Sequence, residues 1–364
     1  MKRIMFVDDE PGIRRVYEML PSFFGDDYDL TIAESGDEAL ALLSSQRFDV
    51  IVSDLQMPEM SGSELLQRVA HRSPSTARVV VSGFPDEITV AKCLTAGHRY
   101  FTKPFNPVTL MQSVRALCQA REAVSSDRIR EVVGKIEALP TPSETYLQMV
   151  RAFNSSTAQI SEIAEILARE PSLSAKLLQM TNSVMFGTAQ QIVSLEESIQ
   201  RMGLGALKAL ILATQVFDFF HQKPGLKAKL QEIWTHSGNV ALRARQVAQE
   251  RGWPAEACEE SFFAGLLHDI GRVVMAACPE VERKTLFPEY DLSHDDVSAQ
   301  FALSHTIDAE AGAYLLSLWG IPDPIANAVR TFRFAGMIQA DVPSAGCALA
   351  LAHELELSPV TLPA

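Results

Sequence analysis

The chain has 364 residues, 47% hydrophobic and 21% charged, with a formal net charge of −13. That is ordinary for a globular protein with a full core, and long enough for two or three domains. Residues 1–121 carry 13 Lys and Arg against 16 Asp and Glu, whereas residues 122–364 carry 19 against 29, an acid excess that repels phosphate backbones and argues against direct nucleic-acid binding.

The N-terminal "MKRIMFVDDE" has an apolar run too short for a leader peptide. The most apolar long stretch, "ALKALILATQVFDFF", is interrupted by polar residues and predicts a buried helix, not a membrane span. Cys93, Cys118, Cys258, Cys278 and Cys347 are odd in number and lack CxxC spacing. They suit reduced thiols in a cytoplasmic protein better than a disulfide frame or a zinc knot.

In chain order, "RIMFV", "LTIA", "FDVIVS", "ARVVVS" and "RYFT" are short β-rich runs. Between and after them lie "GIRRVYEMLPSFF", "SGDEALALLSS", "SGSELLQRVAHR", "PDEITVAKCLTAG" and "NPVTLMQSVRALCQAREAV", each with apolar residues at helical spacing. Strands alternating with helices predict an α/β, doubly wound five-stranded parallel sheet over residues 1–121. The pattern then becomes helical almost throughout. "SSDRIREVVGKIEALP" predicts a helical linker over residues 122–138, one able to continue the preceding helix, and the prolines of "LPTPS" mark a boundary. Residues 139–364 predict an all-α domain, with a capping box at Ser194 and Glu197 and helices over Trp234–Arg251, Ala255–Ala277, Asp308–Leu318, Pro322–Thr331 and Pro343–Leu355.

Asp8 and Asp9 follow the first strand, Asp54 ends the third, Ser82 ends the fourth, and Lys103 follows the fifth. In a parallel sheet all five converge at the carboxyl edge, where such folds bind ligands. Clustered carboxylates in a hydrated site suit Mg²⁺. Asp54 is a candidate nucleophile toward a phosphoryl group, with Lys103 and Mg²⁺ offsetting the developing charge. The set "VDDE", "SDLQMPEMSG", "VSG" and "KPF" resembles the receiver domain of two-component response regulators. That resemblance implies that Asp54 accepts phosphate from a histidine kinase. It also implies that Asp8, Asp9, Asp54 and the Gln56 carbonyl hold Mg²⁺, that Ser82 follows the phosphoryl group, and that Tyr100 is the aromatic switch.

The second candidate site lies in "FFAGLLHDIGRVVM", where His268 directly precedes Asp269. Such a pair either packs helices or holds a metal, and the second role needs ligands from other helices. His236, in "IWTHSGNVALRARQVA", supplies one. The order of "LPTPSETYLQMV", "EPSLSAKLLQMTNSVMFG", "VSLEESIQRMGLGALKALIL", "GLLHDIGRVVM", "HTIDAEAGAYLLSLWGIPDPIANAVR" and "ALALAHELEL" resembles the HDOD domain, a relative of metal-dependent HD phosphohydrolases. The sequence departs from active members of that group in several places. Phe332 and Arg333 stand where a His-His pair is common, His353 where a final Asp is expected, and Arg272 where a Lys follows "HDIG"; a GYP-type stretch is absent. His353 would in principle supply a fourth ligand. His305 is expected to be a core or capping residue, and the scattered Met residues core fill.

These readings predict a cytoplasmic response regulator. Its phosphorylation alters how a non-catalytic HDOD domain meets an unidentified protein or a second copy of the chain, with no second metal there and no membrane contact. The alternative is a receiver-controlled phosphohydrolase acting on a nucleotide or phosphoester at His236, His268 and Asp269. No helix-turn-helix with a basic recognition face is found.

Overall fold

The structure is a computed structural model of the chain. It describes residues 1–20, 27–83, 98–135, 159–168, 174, 177, 194–204, 207, 211, 227–288, 290, 303–332 and 344–357. Several expectations lie outside the described residues: the helix of "PDEITVAKCLTAG", the "LPTPS" boundary, Cys93, Arg333, and most of "GLGALKALILATQVFDFF". The chain divides into two compact units, Met1–Thr141 with Tyr314–Gly320, and Pro142–Ala313 with Ile321–Ala364.

The first unit carries β1 (Lys2–Val7), β2 (Tyr28–Ala33), β3 (Val50–Asp54), β4 (Ala77–Ser82) and β5 (Arg99–Thr102) in one sheet of order β2-β1-β3-β4-β5. All four strand pairings are parallel. Every residue of β3 and β4 is buried, as required of parallel strands covered on both faces. Around them lie α1 (Pro11–Met19), α2 (Gly36–Ser45), α3 (Gly62–Arg72) and α4 (Pro107–Glu122). Side-chain caps from Ser35, Ser61 and Asn106 begin α2, α3 and α4, each satisfying N–H groups that a first helical turn leaves bare.

The linker holds a helix that does not run on from α4. α4 ends at Glu122, and a separate helix, α5 (Asp127–Lys135), begins after Ser126, whose Oγ accepts from Arg128 N–H at 3.2 Å. α5 packs back on its own unit. Ile129, Val132, Val133 and Gly134 are buried, and a Cβ at Gly134 would fall 1.8 Å from the Pro74 carbonyl oxygen. Arg130 donates to the Arg121 and Val124 carbonyls, each at 2.8 Å, closing the turn between the two helices.

The second unit is helical where described: α6 (Ile160–Ala168), α7 (Leu195–Met202), α8 (Lys227–Glu250), α9 (Ala255–Leu267), α10 (Ile270–Ala277), α11 (Glu280–Leu286), α12 (Leu303–Leu318, of which the stretch from Tyr314 on counts with the first unit), α13 (Asp323–Thr331) and α14 (Ala345–Leu357). The Ser194 cap is present, with Oγ accepting from Glu197 N–H at 3.4 Å. A Cβ at Gly265 of α9 would meet Ala241 Cα of α8 at 2.5 Å, so these two backbones approach as closely as glycine permits. α14 and α13 complete the packing around α9. Among the described residues no single helix is long and apolar enough to cross a membrane.

The expected continuous helix over Ala255–Ala277 is two helices, broken at His268 and Asp269. Asp269 adopts φ −95°, ψ 10°, a sparsely populated bridge conformation that recurs at functional sites. Just past the break, a Cβ at Gly271 would lie 1.8 Å from the Asp308 carbonyl oxygen, so only glycine lets α10 meet α12 this closely.

Candidate functional sites

In the first unit the strand ends bring Asp8, Asp54, Ser82 and Lys103 to one edge, as the alternation of strands and helices predicts. Asp8 is fully buried and Asp54 nearly so. Lys103 Nζ lies 2.9 Å from Asp8 Oδ2, 3.2 Å from Asp54 Oδ1 and 3.3 Å from Glu10 Oε1. The carboxylates whose oxygens converge, all within 4.8 Å of one another, are Asp8, Glu10 and Asp54. Glu10 is a member that the sequence reading passed over, although it closes the "VDDE" run. Asp9 sits beside the group with its Oδ1 buried and without a hydrogen-bond partner. The loop that presents them is pinned by Arg14, whose Nη1 donates to the Asp8 carbonyl at 3.1 Å and the Asp9 carbonyl at 2.7 Å.

Burial raises the pKa values of Asp8 and Asp54 above the ordinary carboxylate value, against the pull of Lys103. Burial also works against the Lys103 ammonium, but its hydrogen bond to Asp8 and the charge of Asp54 outweigh that and raise its pKa. One lysine thus faces three converging carboxylates, with Asp9 a fourth beside them. Hard oxygen donors, an unsatisfied buried Asp9 Oδ1 and this charge deficit fit a hydrated divalent cation such as Mg²⁺.

Asp54 is held from below. A Cβ at Gly62 would fall 1.8 Å from the Asp54 carbonyl oxygen, Gly62 N–H donates to the Leu55 carbonyl at 2.9 Å, and Ser53 Oγ donates to the Asp54 carbonyl at 2.8 Å. Ser82 Oγ is buried with no hydrogen-bond partner. Gln56 is exposed, two residues past Asp54. Tyr100 lies in β5; its side chain falls outside the described residues.

In the second unit α8, the α9–α10 joint and α14 bring His236, His268 and His353 together. One ring nitrogen from each lies within 4.8 Å of the others. Asp269 completes the group: its Oδ1 is 3.5 Å from His268 Nε2 and its Oδ2 is 4.0 Å from His236 Nε2. Arg272 Nη1 donates to Asp269 Oδ2 at 3.1 Å. Phe332 is buried edge-on against both His268 and His353, with ring centroids 5.5 and 5.4 Å away. His353, which the sequence marked as a departure, therefore stands inside the cluster. The side chain of His305 falls outside the described residues.

A receiver fold with an acidic edge, followed by an HD-related helical unit, defines a response regulator with an HD-related domain. Residues 4–115 match the response regulator receiver domain, and residues 139–333 match the HDOD domain. That second match spans over half of the chain, and the protein belongs to the HDOD domain family. Among curated proteins, an uncharacterized protein of Treponema pallidum is 24% identical over 208 residues, 55% of this chain and 38% of its own length. The hydrogenase transcriptional regulatory protein HoxA of Cupriavidus necator is 29% identical over 180 residues, 46% of this chain and 37% of its own length. The probable transcriptional regulator ycf27 of Porphyridium aerugineum is 30% identical over 128 residues, 35% of this chain and 52% of its own length. The chain thus spans less than two thirds of each. Among solved structures, the signal receiver domain of an HD domain-containing protein from Pseudomonas fluorescens is 31% identical, covering 34% of this chain and 98% of that one, with a TM-score of 0.32.

Proposed function

We propose that Asp54 accepts a phosphoryl group from a histidine kinase and that the modified receiver changes the protein contacts of a non-catalytic HDOD domain. The observation that carries this reading is the buried Asp54 carboxylate at the end of β3, 3.2 Å from Lys103 and grouped with Asp8 and Glu10. In the transfer, an Asp54 carboxylate oxygen attacks phosphorus and forms the acyl-phosphate O–P bond as the N–P bond to the donor histidine breaks. The leaving imidazole keeps the electron pair and takes a proton. Asp8, Asp9, Asp54 and the Gln56 carbonyl would hold Mg²⁺, with Glu10 alongside, and bound Mg²⁺ would neutralise charge on the transferring oxygens. Lys103 supplies further positive charge beside Asp54. Ser82 Oγ, buried without a partner, gains one when a phosphoryl oxygen arrives.

The output partner is a protein surface or a second copy of the chain. The acidic charge of residues 122–364 disfavours nucleic acid, although HoxA and ycf27 carry the names of transcriptional regulators. The rival reading, a phosphohydrolase at His236, His268 and Asp269, is disfavoured by His353 and Phe332, which crowd the position a substrate needs open.

Incubation with a small acyl-phosphate donor and Mg²⁺ tests the receiver. Wild type gains one phosphoryl group and Asp54→Ala gains none. Equal labelling of the two would remove the mechanism.

A further inference from the structure

We infer that Tyr17 is a positioning residue for Lys103, an aromatic bridge that ties the loop carrying the lysine to the strand end carrying Asp8. The need for a bridge follows from the sheet. Its order puts β3 and β4 between β1 and β5. Three interstrand gaps set the two strands roughly 14 Å apart. β5 pairs with β4, and Lys103 N–H donates to the Ser82 carbonyl at 2.6 Å, so backbone pairing fixes this loop against β4 and not against β1. The Lys103 ammonium nonetheless lies 2.9 Å from Asp8 Oδ2. Holding a flexible lysine stem extended across two strands loses most of its rotamer freedom, and a loop already anchored on the β1 side lowers that cost.

Tyr17 lies on α1 and is fully buried. Its ring stacks on Phe6 of β1, with centroids 4.4 Å apart at 27°, and on Phe105, 6.1 Å apart at 11°. Phe6 stands two residues before Asp8, and Phe105 two residues after Lys103. The three rings therefore run from one partner of the ion pair to the other. Stacked rings at such separations attract beyond the area they bury. Burial, and after it the charges of Asp8, Asp54 and Glu10, raises the pKa of the Tyr17 phenol, so the hydroxyl stays neutral and adds no charge to the pocket. That hydroxyl is buried without a hydrogen-bond partner among the described residues. The ring, and not the hydroxyl, does the holding. Phenylalanine would keep the bridge, whereas leucine would fill part of the space and stack on neither neighbour.

The test uses the full chain and two readouts. The first does not depend on phosphorylation: trace acylation with acetic anhydride in chelator, read site by site by mass spectrometry with the other lysines as internal standards. Only the free amine reacts, and a lysine that moves away from its carboxylates holds its proton less tightly. Lys103 should react several-fold faster in Tyr17→Leu than in wild type and at the wild-type rate in Tyr17→Phe. The second readout rests on the proposed phosphorylation of Asp54. Its rate with a small acyl-phosphate donor and Mg²⁺ should fall about tenfold in Tyr17→Leu and hold in Tyr17→Phe. In a Lys103→Met background, adding Tyr17→Leu should cost nothing further. Circular dichroism checks folding; should Tyr17→Leu fail to fold, Phe105→Leu, at the half-buried end of the bridge, carries the same expectations. Unchanged Lys103 reactivity in the folded variant overturns the proposal. So does an equal loss of rate in the Lys103→Met background, or a Tyr17→Phe that behaves like Tyr17→Leu. A wild type that takes no phosphoryl label, with Lys103 still responding in the first readout, removes the Asp54 reading and upholds the bridge.

Discussion

Lys103→Met isolates the electrostatics of the receiver site. Lys103 pairs with two buried carboxylates, Asp8 and Asp54, at 2.9 and 3.2 Å, and with the exposed Glu10. The Glu10 pair contributes little in solvent. Without the ammonium, Asp8 and Asp54 oxygens no more than 4.8 Å apart face one another. At an effective dielectric near 20, such charges repel by about 3.5 kcal/mol. Breaking a buried pair by removing one partner costs about 3–5 kcal/mol, so the two figures agree. The sign with pH follows from the raised carboxyl values. Asp8 and Asp54 have folded pKa values above their unfolded 3.8, so protonation favours the folded state. The stability they contribute is fully present below 3.8 and is lost as pH rises through the folded values. Removing Lys103 raises those values further, so the penalty should be small near pH 4 and full near pH 8. Native-state hydrogen exchange of the β1 and β3 amides in chelator reads the receiver alone. An equal penalty at both pH values would refute the reasoning, as would a Lys103→Met/Asp54→Asn double variant that recovers nothing.

Gly62→Ala forces a methyl to within 1.8 Å of the Asp54 carbonyl oxygen. It should lower receiver stability by about 1–3 kcal/mol and slow phosphorylation, both measurable on one preparation. Ser82→Ala removes a buried hydroxyl that has no partner; stability should hold or rise in urea denaturation while the phosphorylation rate falls. Burial pushes the Glu259 carboxyl up to about 6 despite Arg245 at 2.9 Å. Its contribution is therefore full below 4.5 and lost as pH rises through about 6. Glu259→Gln should flatten the thermal-unfolding profile of the helical unit across that window, and an unchanged profile would contradict the assignment.

The receiver was legible because each of its site residues sits at the end of a run whose period marks it as a strand, and a parallel sheet gathers such ends. Within "VDDE" the period is silent. Which carboxylates turn inward depends on the backbone after Val7 and on Arg14 holding the Asp8 and Asp9 carbonyls, a contact between loop and helix that no spacing encodes. The break between α4 and α5 did have a local signal, Ser126 capping before Asp127. The break at His268 carries no proline and falls on the polar His268-Asp269 pair, with Gly271 just beyond it meeting the Asp308 carbonyl, a tertiary contact. His353 illustrates the same limit. Read alone it is a substitution for Asp, and only the crossing of α8 on α9 at Ala241 and Gly265, with α14 beside them, makes it a neighbour of His236 and His268.

β4 joins two parts of the receiver that the sequence treats separately. Its last residue, Ser82, carries the buried hydroxyl that would gain a partner on the proposed phosphorylation of Asp54. Four residues earlier, the buried Arg78 of the same strand donates from Nη2 to the Gly134 carbonyl at 3.2 Å. Gly134 is also where α5 closes on Pro74 with no room for a Cβ. A shift of the β4 end toward a phosphoryl group would therefore pull on a fully buried strand whose other end grips the linker helix. Packed cores and strands have discrete arrangements and do not deform gradually. On the proposed phosphorylation of Asp54, the docked α5, not a helix running freely on from α4, would be the element that receives the movement of β4.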